Sequence, residues 1–214
     1  MSADDAQALA RALASGADAV VADLEAATPA DRKADARAVV AKVFAANGSG
    51  PARLVRVNAS GSEHLEGDLA LVRSLDLAGV AVPQATPEAV DDLRGLGVSL
   101  LAVVESACGL RSAYETALRP HVRAVQLGAT DLASDLHLES RPDALELLHA
   151  RSRLVVDAVA AGVDGIFDRV LRGVENDELE RDARFARSLG FTGKSTTSPE
   201  DAAVLNRVFD RRDR

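Results

Sequence analysis

The sequence predicts an α/β protein of TIM (β/α)₈ type, an incomplete barrel in which seven strands are visible and the first strand is missing. Short Val/Leu-rich runs alternate with longer Ala/Arg/Glu-rich stretches of helical period, the pattern of parallel strands joined by helical crossovers. Polar residues recur at the C-terminal ends of those runs, whose interiors are apolar, and such ends face the mouth of a barrel. No repeat, low-complexity segment or linker divides the chain. Residues 1–214 are therefore expected to form one domain.

Residues 3–15 read as a helix stopped at Gly16, and 19–24 as a buried strand leading into Glu25. Pro29 and Asp31 open a second helix that runs to Phe44, punctuated by Asn47-Gly48-Ser49-Gly50-Pro51. A strand at 54–58, a helix near 63–75, a strand at 79–83 and a helix at 87–96 follow. The strand at 100–105 ends on Glu105, and a helix near 109–118 separates it from the strand at 122–127. The strand-like run continues to Thr130, so Asp131 is read as its terminal acid. A long helix at 143–161, strand 165–170, helix 175–189 and strand 192–196 complete the series. A closed barrel needs eight strands, so the missing one would precede the first helix.

The 214 residues carry a net charge of −8 with no basic stripe, which argues against nucleic-acid binding. Only 3% of residues are aromatic, so Ala, Val and Leu must fill the core. Cys108 is the sole cysteine; it excludes an intramolecular disulfide and is expected to be a small packing residue in a reducing compartment. No apolar run approaches the ~20 residues of a spanning helix, and no signal peptide is visible. A soluble, cytoplasmic protein with no membrane partner is expected.

Consecutive strands of a parallel barrel end side by side, so Glu105 and Asp131 are expected to converge. Two carboxylates with water and substrate oxygens suit a hard cation such as Mg²⁺, although Asp131 alone also fits a helix N-cap. Arg56 has a donor fork suited to a substrate carboxylate or carbonyl, and equally to a salt bridge with a strand-end acid such as Glu25. Asp23 and Glu25 share one face of their strand and act directly or by orienting Arg56 or metal-bound water; Asn58 is grouped with them. Zinc-hydrolase, serine-hydrolase and nucleotide-loop motifs are all missing from the sequence.

Several segments, in order and spacing, resemble the citrate lyase β-subunit-like branch of the HpcH/HpaI aldolase superfamily. They are Gly16 to Glu25, Arg32 to Arg37, Val55-Arg56-Val57-Asn58, Val82-Pro83, Val104 to Gly109, Leu127 to Leu132 and Ala186 to Lys194. The resemblance implies a carbon–carbon lyase or aldolase that uses Mg²⁺ and acts on a small 3-hydroxy or 2-oxo acid or its acyl-CoA thioester. It implies a homo-oligomer, trimer or hexamer. It makes Glu105 and Asp131 the metal ligands, assigns Arg56 to the substrate's oxygens as the catalytic residue, and places Gly128 and Ala129 with Arg56 and Glu105 at the substrate. No general base is identified. Relatives begin with a further strand and end with a lid, neither of which this sequence shows. Ala26, Gln84 and Ser198-Pro199 stand where the family has an acid, a lysine and His-Pro. Those departures motivate two alternatives: a weakened paralogue serving as structural or regulatory partner, and a lidless aldolase on free pyruvate-type oxo acids.

Overall fold

The apolar runs become seven strands: β1 (Ala19–Asp23), β2 (Ala52–Arg56), β3 (Gly79–Val82), β4 (Ser99–Val104), β5 (Val122–Leu127), β6 (Gly165–Asp168) and β7 (Gly193–Lys194). The computed structural model describes residues 1–45, 50–139, 141 and 143–210; the expected break at Asn47-Gly48-Ser49 lies outside them. All strand pairs are parallel and follow chain order, β1 to β7, curling into an incomplete barrel of the expected kind.

The helices are α1 (Ala6–Leu13), α2 (Lys33–Phe44), α3 (Leu65–Ser74), α4 (Pro87–Asp91), α5 (Ala107–Arg111), α6 (Ala113–Ala117), α7 (Ala129–Asp135), α8 (Leu148–Ala160), α9 (Asn176–Leu189) and α10 (Ala202–Phe209). Asp5 caps α1 by accepting from the Ala8 N–H at 2.8 Å, and Thr86 caps α4. The helix expected near 109–118 is two helices, broken at Ser112, whose hydroxyl donates to the Cys108 carbonyl at 2.9 Å. That arrangement leaves Cys108 exposed, which corrects its expected packing role.

Three further points differ from expectation. The second strand covers Ala52–Arg56 rather than 54–58, because the Asn58 N–H donates to the Asp68 carboxylate at 2.8 Å instead of continuing the ladder. The fifth strand keeps its expected span to Leu127, but the run beyond it turns helical at Ala129, so Asp131 stands in the first turn of α7 and not at a strand tip. The last strand contracts to Gly193–Lys194, and α10 follows it unanticipated.

Leu9, Leu24, Leu100, Leu127 and Leu154, each essentially excluded from solvent, lie between sheet and helices. Each contributes roughly 2 kcal/mol of burial. Inside the barrel a second cluster joins Ala81, Leu101 and Val103 to Val21, Leu54, Ala124 and Phe167. No eighth strand pairs with β7 among the described residues, but Met1–Ala3 run parallel to the end of β1: the Asp23 N–H donates to the Met1 carbonyl at 2.9 Å. At the other end of β1, the Asn206 amide on α10 donates to the Gly16 carbonyl at 2.8 Å.

Candidate active site

Side chains two apart on a strand share a face. Val21, Leu54 and Val103 line the barrel interior. Asp23, Arg56 and Glu105, each two residues further on, therefore emerge at its C-terminal mouth.

Arg56 is gripped from one side. Its Nε donates to Asp23 Oδ1 at 2.9 Å and its Nη2 to Asp23 Oδ2 at 2.6 Å, with Glu25 Oε2 at 3.3 Å. The Glu25 and Ala27 N–H groups complete the Asp23 shell at 2.9 and 3.2 Å. Burial alone would raise Asp23, but the Arg56 hydrogen bond and charge outweigh it and hold the carboxyl below its usual range. Burial likewise opposes the Arg56 charge, and Asp23, Glu25 and Glu105 together hold it above its usual value. The remaining nitrogen, Nη1, lies 4.0 Å from Glu105 Oε2, beyond hydrogen-bond reach, so it is open to a ligand.

Glu105 is 5% exposed. Its Oε1 accepts the Gln84 backbone N–H at 2.7 Å, while Oε2 faces Arg56. Burial pushes Glu105 up to about 7, with added repulsion from Asp131 and Glu25, against the pull of the Gln84 N–H and Arg56. The Asp131 charge thus reaches Glu105 from an exposed position on α7. Gly128 lies against Glu105: a Cβ there would collide with Glu105 Cβ and stand 2.6 Å from Oε2. Ala129 opens α7 with its side chain packed on the helix–sheet core.

Two expected outcomes arise here. In the unfolded chain Glu105 ionises near 4.5, and in the fold near about 7, so between these values the folded form binds the extra proton. Stability of the metal-free chain should fall by roughly 3 kcal/mol as pH rises from about 4.5 to 7.5, then level off. Urea unfolding across that range in chelator checks it, and Glu105→Gln should flatten the curve. Asp23, shifted the other way, adds its own loss only at lower pH. Gly128→Ala should displace the Glu105 carboxyl and cost about 1–3 kcal/mol, read by the same unfolding measurement.

Asn58, grouped with Asp23 and Glu25 from the sequence, lies behind the segment that carries them. Its side chain accepts from Lys33 Nζ at 2.6 Å and donates to Asp68 at 2.6 Å and to the Leu24 carbonyl at 3.1 Å, tying the rim to α2 and α3. The role of Gln84 was missed because a backbone donor has no side-chain signature. Gln84 also has a φ of 47°, unusual for a residue other than glycine, where the chain turns away past the N–H that bonds Glu105. Also missed was Ser195, whose hydroxyl donates to Gln126 Oε1 at 3.1 Å, joining β5 to the segment after β7.

A sequence model of the HpcH/HpaI aldolase/citrate lyase family matches residues 1–199. The citrate lyase subunit beta-like protein of Deinococcus radiodurans is 36% identical over 208 residues, covering 91% of this chain and 72% of that protein. A (3S)-malyl-CoA thioesterase of Cereibacter sphaeroides is 31% identical over 211 residues, covering 95% of this chain and 73% of the relative. Among solved structures, the citrate lyase beta subunit of Mycobacterium tuberculosis complexed with oxaloacetate and magnesium superposes with a TM-score of 0.88 at 27% identity. That match covers 98% of this chain and 94% of the other. The Mycobacterium tuberculosis CitE protein in complex with magnesium, acetoacetate and coenzyme A gives a TM-score of 0.86 at 27% identity, over 98% and 78%. With the fold and the match over residues 1–199 in agreement, this chain belongs to the HpcH/HpaI aldolase/citrate lyase family.

Proposed function

We propose that the chain is a Mg²⁺-dependent carbon–carbon lyase acting on a small 3-hydroxy or 2-oxo acid or its acyl-CoA thioester. The observation that carries this reading is the mouth itself: an Arg56 guanidinium with one nitrogen open, beside the buried Glu105 carboxyl and within the field of Asp131. Its donor chemistry fits the ion. Both candidate ligands are carboxylates, and Glu105 Oε2 stands 4.0 Å from Arg56 Nη1. Among the described residues no group of three or more His, Cys, Asp or Glu forms a metal cage. A two-carboxylate site completed by water and substrate oxygens suits Mg²⁺, which keeps several waters.

Glu105 and Asp131 would hold the cation, which when bound polarises the substrate's carbonyl as a Lewis acid. Arg56 offers Nη1 to the oxygen on which negative charge builds as the C–C bond breaks, a contact worth most when that charge is fully formed. Asp23 fixes the guanidinium plane so that no reorientation is needed, and Glu25 supports it. Gly128 and Ala129 adjoin the substrate in this reading, Gly128 lacking the Cβ that would collide with Glu105. A single domain over 1–214, a cytoplasmic location and a homo-oligomeric state, trimer or hexamer, belong to the same proposal. Among the described residues no helix is long and apolar enough to cross a membrane.

The Cereibacter sphaeroides relative favours a second reading, hydrolysis of the thioester instead of C–C cleavage. Incubation with malyl-CoA separates the two. Cleavage releases a 2-oxo acid and a shorter acyl-CoA, while hydrolysis releases a free thiol. The lyase reading expects the oxo acid, dependent on Mg²⁺ and lost in Glu105→Ala and Asp131→Ala. Free thiol without oxo acid would transfer the proposal to hydrolysis. Intact Mg²⁺ binding with no turnover of any thioester or free oxo acid would favour the partner role.

A further inference from the structure

The helix that carries Asp131 is weakly anchored. It has seven residues, and Leu132 is its one buried side chain. Gly128 ties its base to β4 by donating its N–H to the Val104 carbonyl at 2.9 Å. Its far end is tied by Asp135, whose Oδ2 accepts the Ala107 N–H at 2.7 Å across 28 residues of sequence. Ala107 stands two residues beyond Glu105 and opens α5, where a first-turn N–H has no partner within its own helix. Asp131 and Asp135 are one helical turn apart and share a face of α7. The two ties therefore bracket the pair of acids, one on each side.

We propose that Asp135 is a positioning residue: by bonding the backbone just past Glu105 it sets α7, and with it Asp131, at the orientation needed to share a divalent cation. This rests on the metal reading above. In this inference Asp135 acts through the bond from the Ala107 N–H to its Oδ2, and not as a ligand. An acid four residues after Asp131 was visible in the sequence, but nothing there indicated a backbone partner on another βα unit.

The test uses the full chain, with Mg²⁺ titrated calorimetrically and amide exchange followed in chelator. Asp135→Ala should bind Mg²⁺ about 10-fold more weakly, the scale on which groups that orient ligands act. In the metal-free state its α7 amides should exchange faster while the strands stay protected. Asp135→Asn, whose amide oxygen accepts the same N–H, should restore both. If Asp135→Ala does not fold, Asp135→Ser, too short to reach Ala107, takes its place. Unchanged Mg²⁺ affinity and α7 exchange in the Ala or Ser variant would overturn this inference alone, as would failure of the Asn variant to rescue. If the unaltered chain bound no Mg²⁺, the metal reading would fall and this one with it.

Discussion

Arg56→Ala is expected to lower kcat/KM for the lyase reaction by about 10³-fold, the loss seen when one preorganised donor to a developing oxyanion is removed. It should also destabilise the chain by roughly 3 kcal/mol, because Asp23, 8% exposed, would keep its charge with no guanidinium to match it. Arg56→Lys separates the two effects. A lysine keeps the positive charge, and so most of the stability, but cannot grip both Asp23 oxygens while presenting a second nitrogen to substrate. Its kcat/KM should fall about 10²-fold with little change in the unfolding midpoint. Wild-type kcat/KM in Arg56→Ala would remove Arg56 from the reaction and leave it a structural ion pair with Asp23.

Asp168→Asn is expected to cost about 3–5 kcal/mol in chemical denaturation, the largest stability loss among these substitutions. Asp168 and Arg151 are fully buried, joined by Nε to Oδ1 at 3.1 Å and Nη2 to Oδ2 at 2.7 Å. Lys194 Nζ adds a bond to Asp168 at 2.9 Å and stands 2.6 Å from Asp182, which Arg169 also contacts at 3.0 Å. Arg151 also stacks over Phe185, 5.0 Å from the ring centre. Three cations thus share two acids, and Asp182 is held below its usual range, against its burial, by Lys194, Arg169 and Arg151. Removing the Asp168 charge leaves Arg151 and Lys194 buried in excess. Lys194→Met removes the surplus cation and should cost no more than about 2 kcal/mol. The reverse order of the two variants would show that packing, not charge balance, holds α8 and α9 to β6 and β7.

The parallel barrel was legible because its strands are buried on both sides, which leaves apolar runs that helices of opposite period separate. The placement of Arg56 and Glu105 at the mouth was legible for a related reason: each directly continues an inward-facing apolar column. The status of Asp131 was harder to read. Ala129 and Thr130 fit a strand as well as a helix, and only the Gly128 backbone, at φ −87° and ψ 73°, ends one and starts the other. Helix α10 escaped notice because eight residues give little over two turns of periodicity. The partners of Asn58 and the Arg151–Asp168 network were unseen for one cause. Sequence pattern gives a polar side chain no depth, so an Asn bonded to Lys33 and Asp68 behind the rim reads the same as one facing the mouth. Arg151 likewise looks like any arginine on a surface helix until Phe185 and Asp168 close over it.

The lyase proposal stands or falls on Glu105 and Asp131 sharing one divalent cation at the barrel mouth. Crystals of the full chain soaked in Mn²⁺, with anomalous scattering recorded at the manganese edge, show where the ion sits. One strong anomalous peak is expected, bonded to an oxygen of each carboxylate, with water filling its remaining positions and Arg56 Nη1 facing them. Manganese bound elsewhere at saturation, with Glu105 and Asp131 left without it, would refute the shared site.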